Sequence, residues 1–379
     1  MWLSSLQLSD FRNYKNLEIG FSPGITLLHG PNGEGKTNLV EAINFASTLQ
    51  SHRVAGYQTL ISQNTQLSQV TAKVQHGNRD LLVGLELNAK NPNRYFVNGN
   101  QVRKTAELIG LIGTVIFAPE DLDLVRRDPS DRRGFMDQAL FQLKPRLSGV
   151  KGDYDRVLKQ RNALLKSAKG ARNPELSTLD IWDDQLVSLG VEIILNRLAL
   201  LEDLNPLLSD FYKKLSGAEE RINLSLVSAI GDDDNLSELP NNREELSEMF
   251  LQKLQENRSR ELERGLTLVG PHRDELLIEK DGLVARSHAS QGEAWSLALG
   301  LKLALASLIK QRSNSGDPIL LLDDVFAVLD VGRRQRLLEF VLSYEQVIVT
   351  AADKEMAPTL DWADIYRVSG GELTYETEL

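Results

Sequence analysis

Residues 30–37, Gly30-Pro31-Asn32-Gly33-Glu34-Gly35-Lys36-Thr37, are built to hold a nucleoside triphosphate. Three glycines let the backbone turn tightly and aim successive N–H groups into one concavity, an anion nest at the positive end of the helix that follows. Lys36 adds a point charge for the β- and γ-phosphates. Thr37 offers a hydroxyl to Mg²⁺, a cation that keeps several waters and takes only one or two protein ligands. An apolar stretch (ITLLH) precedes the loop, and Leu39, Val40, Ile43, Ala46 and Leu49 follow at helical spacing, so the loop has the strand-to-helix setting that phosphate binding requires.

Two further groups complete the chemistry. Asp323 and Asp324 close the aliphatic run Ile319-Leu320-Leu321-Leu322, which puts two carboxylates at the C-terminal end of a buried strand. There Asp323 can support Mg²⁺ and Asp324 can act as general base or orient the attacking water. Ser290-Gln291-Gly292 opens a long apolar helix and offers a serine side chain and a glycine N–H at a helix start, a second phosphate-binding arrangement. Lys36 and Asp324 are therefore the candidate catalytic residues and Thr37 and Asp323 the candidate metal ligands.

The elements that must position these groups occur in two blocks. The chain has 379 residues, 41% hydrophobic and 25% charged, enough for two or three lobes. Short strands at 2–8 and 18–21, alternating segments near 70–75, 81–87 and 94–103 with an Asn98-Gly99 hairpin turn, and an apolar run at 111–118 surround the P-loop. From about 130 to 218 the pattern is helical, with Asn205-Pro206 expected to bend or interrupt the longest helix. A polar, acidic loop is expected at 231–246. Strand character returns at 266–286, and 319–322 and 347–350 are fully apolar strands. The boundaries expected are 1–130, 131–265 and 266–379: an α/β ATPase core with a mixed sheet, split by a largely helical lobe.

Composition excludes several classes. With no cysteine there is no disulfide, thiolate catalysis or zinc–sulfur site, and histidines 29, 52, 76, 272 and 288 lack ligand spacing. No span of about 18 uncharged apolar residues is evident and the N-terminus lacks the order of a secretion signal, so a soluble, cytoplasmic protein is expected. The net charge of −10 argues mildly against a nucleic-acid partner. Between Lys144 and Arg172, however, nine Lys/Arg face two Asp, a candidate DNA surface.

Seven motifs in order carry a resemblance: Phe11-Arg12-Asn13-Tyr14, the P-loop, Ser51-His52-Arg53, Phe117-Ala118-Pro119-Glu120-Asp121-Leu122, Gly270-Pro271-His272-Arg273-Asp274, Ser290-Gln291-Gly292 and Leu322-Asp323-Asp324-Val325-Phe326. Together the chain resembles the RecF family, recombination mediators in the SMC-like branch of ABC ATPases. The resemblance implies an SMC-head-like fold and an ATP-dependent homodimer in which Ser290, Gln291 and Gly292 contact the nucleotide of the opposite chain. It implies that Arg12 joins the nucleotide contacts and that Asp330 lies at the dimer seam. It further implies Mg²⁺-dependent, slow ATP hydrolysis, binding to duplex and gapped DNA, and work with RecO and RecR in loading RecA. Two departures, Glu293-Ala294-Trp295 after the signature and Val328 in the D-loop, are expected near that seam. An ABC transporter ATPase subunit is the alternative, disfavoured by the 253 residues between Thr37 and Ser290.

Overall fold

The computed structural model describes all residues except 55, 171–175, 232–238, 314–315, 358–359 and 377–379. Its N-terminal elements are β1 (Trp2–Phe11), β2 (Tyr14–Gly20), β3 (Gly24–His29), α1 (Lys36–Thr48), β4 (Leu67–His76), β5 (Arg79–Asn88), β6 (Arg94–Val97), β7 (Asn100–Val102) and β8 (Thr114–Phe117). Then come α2 (Leu122–Arg126), α3 (Pro129–Leu143), α4 (Arg146–Ala168), α5 (Leu179–Ser216), β9 (Ile222–Val227), α6 (Arg243–Arg264), β10 (Glu275–Lys280), β11 (Leu283–Val284) and α7 (Ala285–His288). The chain ends with α8 (Gln291–Arg312), β12 (Ile319–Leu322), α9 (Val325–Val328), α10 (Val331–Val341), β13 (Gln346–Ala351), β14 (Asp364–Ser369) and β15 (Glu372–Tyr375).

Two compact units form. The first joins Met1–Val125, Leu207–Glu219 and Ser290–Leu379; the second joins Arg126–Pro206 and Glu220–Ala289. In the first, an antiparallel sheet ordered β2-β1-β4-β5-β6-β7 and a mixed sheet ordered β15-β14-β3-β13-β12-β8 share one core. Helix α1 contacts strands of both sheets, so it is buried all round: Leu39, Val40, Ile43 and Phe45 are inside, but so are Glu41, Asn44 and Ser47. Strands β14, β3, β13, β12 and β8 run parallel, which brings the ends of β3, β13 and β12 to one edge of the sheet. Ile319 to Leu322 are fully buried, each contributing about 1.5–3 kcal/mol relative to exposure.

Helix α8, though interrupted by Glu293 and Lys302, is long and apolar enough to cross a membrane, but 78% of its apolar window is buried inside the protein. Leu297, Leu299, Leu301, Leu303 and Leu305 are all core residues. Its apolarity serves packing.

In the second unit, α4, α5 and α6 pack around Tyr154, Leu186, Ile194, Phe250 and Leu254. Residues 266–289 cluster here and not with the ATPase half, because β10 pairs antiparallel with β9 and β11 in a three-stranded sheet. Pro206 does not interrupt α5, which continues from Leu179 to Ser216. Much of the acidic stretch expected at 231–246 lies outside the described residues, and its end is already helix: α6 starts at Arg243, capped by the Asn242 side chain on the N–H groups of Glu244 and Glu245.

The basic stretch is altered most by burial. Arg161 is fully buried, donating to Asp183 (2.6 Å) and paired with Glu261 (2.7 Å). A buried charge of this kind is tolerable only when paired. Arg146 pairs with Glu192, Lys151 with Asp155 and Arg156 with Asp153, while Lys144 bonds Asn196. Lys159, Lys166 and Lys169 are exposed.

The same unit holds His272, whose Nδ1 lies 2.7 Å from Tyr154 Oη. Burial pushes its pKa down from 6.5 to about 4. The unfolded chain takes up a proton near pH 6.5 and the native chain resists until about 4. Stability present above 6.5 therefore falls as pH drops through this window, by up to about 3 kcal/mol. Urea denaturation near neutral pH and at about pH 4.5 should show a smaller decline for His272→Asn than for the parent; equal declines would assign the loss to other groups.

Candidate functional site

The P-loop is held by its own glycines and by the turn between β1 and β2. Gly30 and Gly35 have φ of +148° and +121°, a backbone region that L side chains rarely adopt. A Cβ on Gly30 would lie 2.2 Å from the carbonyl oxygen of Val368, and one on Gly35 would lie 2.6 Å from Asn13 Nδ2. Tyr14 Oη donates to the Gly35 carbonyl at 3.0 Å, and Asn13 Nδ2 donates to the Glu34 carbonyl at 3.0 Å. From the other side, the Gly370 and Gly371 N–H groups of the β14–β15 turn reach the Glu34 carboxylate and carbonyl. Burial raises the Tyr14 pKa far above the usual phenol value, so its hydroxyl stays a donor.

Lys36 is buried and donates to the carbonyls of Gly30 (2.6 Å) and Pro31 (2.9 Å). Burial lowers its pKa, opposed by the charges of Asp324, Asp323 and Glu34. Those carboxylates are the groups the sequence reading joined to it.

Asp323 is the point where three elements meet. Its Oδ1 accepts from Thr37 Oγ1 at the start of α1 (3.1 Å) and from Thr350 Oγ1 on β13 (2.8 Å). Thr350 also accepts from the Asp324 N–H (2.9 Å), and Asp324 takes the left-handed conformation at φ +50° as it leaves β12. Burial first, and then the neighbouring Asp324 charge, push the Asp323 pKa up to about 6. A buried carboxylate with a hydroxyl beside it is a donor set that suits Mg²⁺. Thr37 and Asp323 would hold the ion, which supplies neutralisation of phosphate charge.

Arg12, expected among the nucleotide contacts, pairs with an acid of α1. Its guanidinium makes two 2.8 Å bonds to Glu41, the fully buried carboxylate of α1, which also accepts from Ser51 Oγ. The pair neutralises Glu41 and lowers its pKa against burial, which alone would raise it. His52, next in sequence, is largely shielded, and desolvation lowers its pKa to about 4. Thr350, Glu41 and His52 are the site residues that sequence reasoning missed or left without a role. Only the apolar strand ending in Thr350 and the Ser51-His52-Arg53 motif carried any signal.

Ser290 caps α8: its Oγ accepts from the Glu293 N–H (3.3 Å), and Glu293 returns a bond to the Ser290 N–H (2.7 Å). Glu293, one of the departures, thus completes a capping box. Ala294 and Trp295 are buried, 0% and 6% exposed, so they belong to the core and do not face a neighbour directly. Val328 is exposed. Asp330 caps α10 and pairs with Arg333, which in turn donates to Ser296 Oγ at 3.0 Å and packs within 2.9 Å of where a Gly292 Cβ would stand. The first turns of α8 and α10 are therefore bonded to each other. Lys302 of α8 also pairs with Asp121 (2.8 Å), which accepts from the Ala118 N–H.

Comparison with known proteins agrees with this geometry. The profile described as RecF/RecN/SMC N terminal domain matches residues 2–372. The DNA replication and repair protein RecF of Clavibacter sepedonicus is 46% identical, covering 98% of this chain and 95% of that protein. The chain belongs to the RecF family. RecF of Leifsonia xyli subsp. xyli is also 46% identical, covering 98% of this chain and 99% of that protein. A solved structure of the recombination mediator protein RecF-ATP in the RecFOR pathway superposes with a TM-score of 0.90 at 28% identity, covering 99% of this chain and 98% of that one. An Smc head bound to the C-winged helix domain of ScpA shares the fold, with a TM-score of 0.55 at 18% identity over 99% of this chain and 97% of that one. The RecF-family fold is thus an SMC-head-like α/β ATPase fold.

Tyr14→Phe removes one of two donors to the Gly35 carbonyl, which keeps the Leu39 N–H at 3.0 Å. It should cost about 0.5–1.5 kcal/mol in urea denaturation; an unchanged midpoint would show that the turn does not brace the loop.

Proposed function

We propose that this chain is an ATP-driven switch of recombinational DNA repair and replication. The observation that carries the reading is the Thr37–Asp323–Thr350 cluster, assembled beside Lys36 in a unit that also carries one signature cap. Residues Gly30 to Thr37 bind the phosphates through backbone N–H groups and Lys36. Asp324 orients the attacking water or takes its proton. Aspartate is one methylene shorter than glutamate, so its reach to that water is less and turnover is slow.

With one P-loop and one signature per chain, two chains are needed for two composite sites, and Ser290 to Gly292 then act on the partner's nucleotide. ATP binding stabilises the dimer by linkage and hydrolysis releases it. The closed pair binds duplex DNA, including duplex beside single-stranded gaps, and with RecO and RecR promotes loading of RecA; DNA stimulates the weak ATPase. RecF relatives named for DNA replication and repair, and the ATP-bound RecF structure of the RecFOR pathway, support this reading. Exposed Lys159 and Lys166 are phosphate contacts, whereas buried Arg161 is withdrawn from that role.

Affinity for gapped duplex should rise when ATP is added and show no such rise in Lys36→Ala. Reversing Lys159 and Lys166 should reduce the salt slope by about 2 per chain, about 4 for the closed pair. DNA affinity indifferent to nucleotide in the parent protein would overturn the reading.

A further inference from the structure

His52 is the one histidine beside the phosphate loop's acidic partner, and its surroundings leave it unused. The side chain is 10% exposed, and neither ring nitrogen has a hydrogen-bond partner among the described residues. Buried polar atoms are nearly always bonded, so a buried imidazole with both nitrogens free calls for an explanation. Its neighbours are paired elsewhere: Ser51 is taken by Glu41, Glu41 by Arg12, and Arg53 by Asn38.

The geometry around Asp323 indicates where the missing bond belongs. Both hydroxyl donors, from Thr37 and Thr350, land on Oδ1. The other oxygen, Oδ2, lies 4.0 Å from His52 Nε2, about 1 Å beyond a direct hydrogen bond. That gap closes with a small side-chain movement, or it accommodates a bridging water. A carboxylate that ligates a metal is itself usually held by a donor on its outer side, which fixes which oxygen turns to the ion.

We propose that His52 is a positioning residue for the cation-binding carboxylate: its Nε2–H holds Oδ2 of Asp323 so that Oδ1 stays turned toward Thr37. The inference rests on the reading of Thr37 and Asp323 as the Mg²⁺ site. It makes His52 a determinant of the Mg²⁺-dependent part of nucleotide affinity and leaves the Mg²⁺-independent grip of the P-loop to Lys36 and the backbone.

The test is calorimetric titration with ATP in excess Mg²⁺ and in EDTA, for the parent, His52→Leu and His52→Gln. Glutamine places an N–H donor near the position of Nε2, whereas leucine fills the space without one. His52→Leu should lose about 10–100-fold of affinity in Mg²⁺ and none in EDTA, and His52→Gln should recover most of the loss. Equal affinity of His52→Leu and the parent in Mg²⁺ would overturn the proposal. So would a loss of the same size in EDTA that His52→Gln does not recover, since that is damage to the P-loop itself. Failure of the parent to bind ATP in either condition would instead remove the nucleotide reading on which the inference stands.

Discussion

One oxygen of one carboxylate ties the ATPase unit together. Asp323 Oδ1 receives Thr37 from the phosphate loop and Thr350 from the strand between, so the distance between loop and carboxylate is set by three parallel strands in register. The β3-β13-β12 order is what brings them to one edge. Four buried aliphatics on β12 and six buried residues on β13 pack on both faces, and the register is pinned by polar bonds at the strand ends: Thr350 to Asp323, and Gln346 to the Leu3 carbonyl. The cost is a carboxylate in a desolvated place, reflected in its raised pKa. Such a site is poised for a cation and a triphosphate.

The same logic explains the second buried acid. Glu41 sits in the middle of α1, wedged between two sheets, where an unpaired charge would be destabilising by several kcal/mol. Arg12 neutralises it bidentately from the β1–β2 turn, and Asn13 and Tyr14 of the same turn hold the P-loop carbonyls. One four-residue turn thus settles both the helix and the loop. Across the unit, Arg333 links Asp330 at the start of α10 to Ser296 of α8.

What the sequence revealed follows from the range of each interaction. The P-loop, the Asp323-Asp324 strand end and the Ser290 cap are local patterns, and the structure places all three in one unit. Thr350 was hidden because its role depends on strand order, which no local pattern encodes. Arg12 was linked to nucleotide through the family resemblance, and its pairing with Glu41, 29 residues away, is a long-range contact that no local pattern encodes. Arg161 was counted with a basic run although it points inward to Asp183 and Glu261, since a charge count cannot see burial. Of the strand character read at 266–286, the structure keeps Glu275–Lys280 and Leu283–Val284, and their partner β9 lies some 50 positions earlier in the chain.

The central claim is that nucleotide at this cluster joins two chains through Ser290. Sedimentation of the protein alone, with ATP and with a non-hydrolysable analogue, beside Lys36→Ala and Ser290→Arg, tests it most directly. The account predicts a monomer that dimerises with either nucleotide, and no dimer in either variant. A parent chain that binds ATP yet sediments as a monomer at every nucleotide concentration would contradict it.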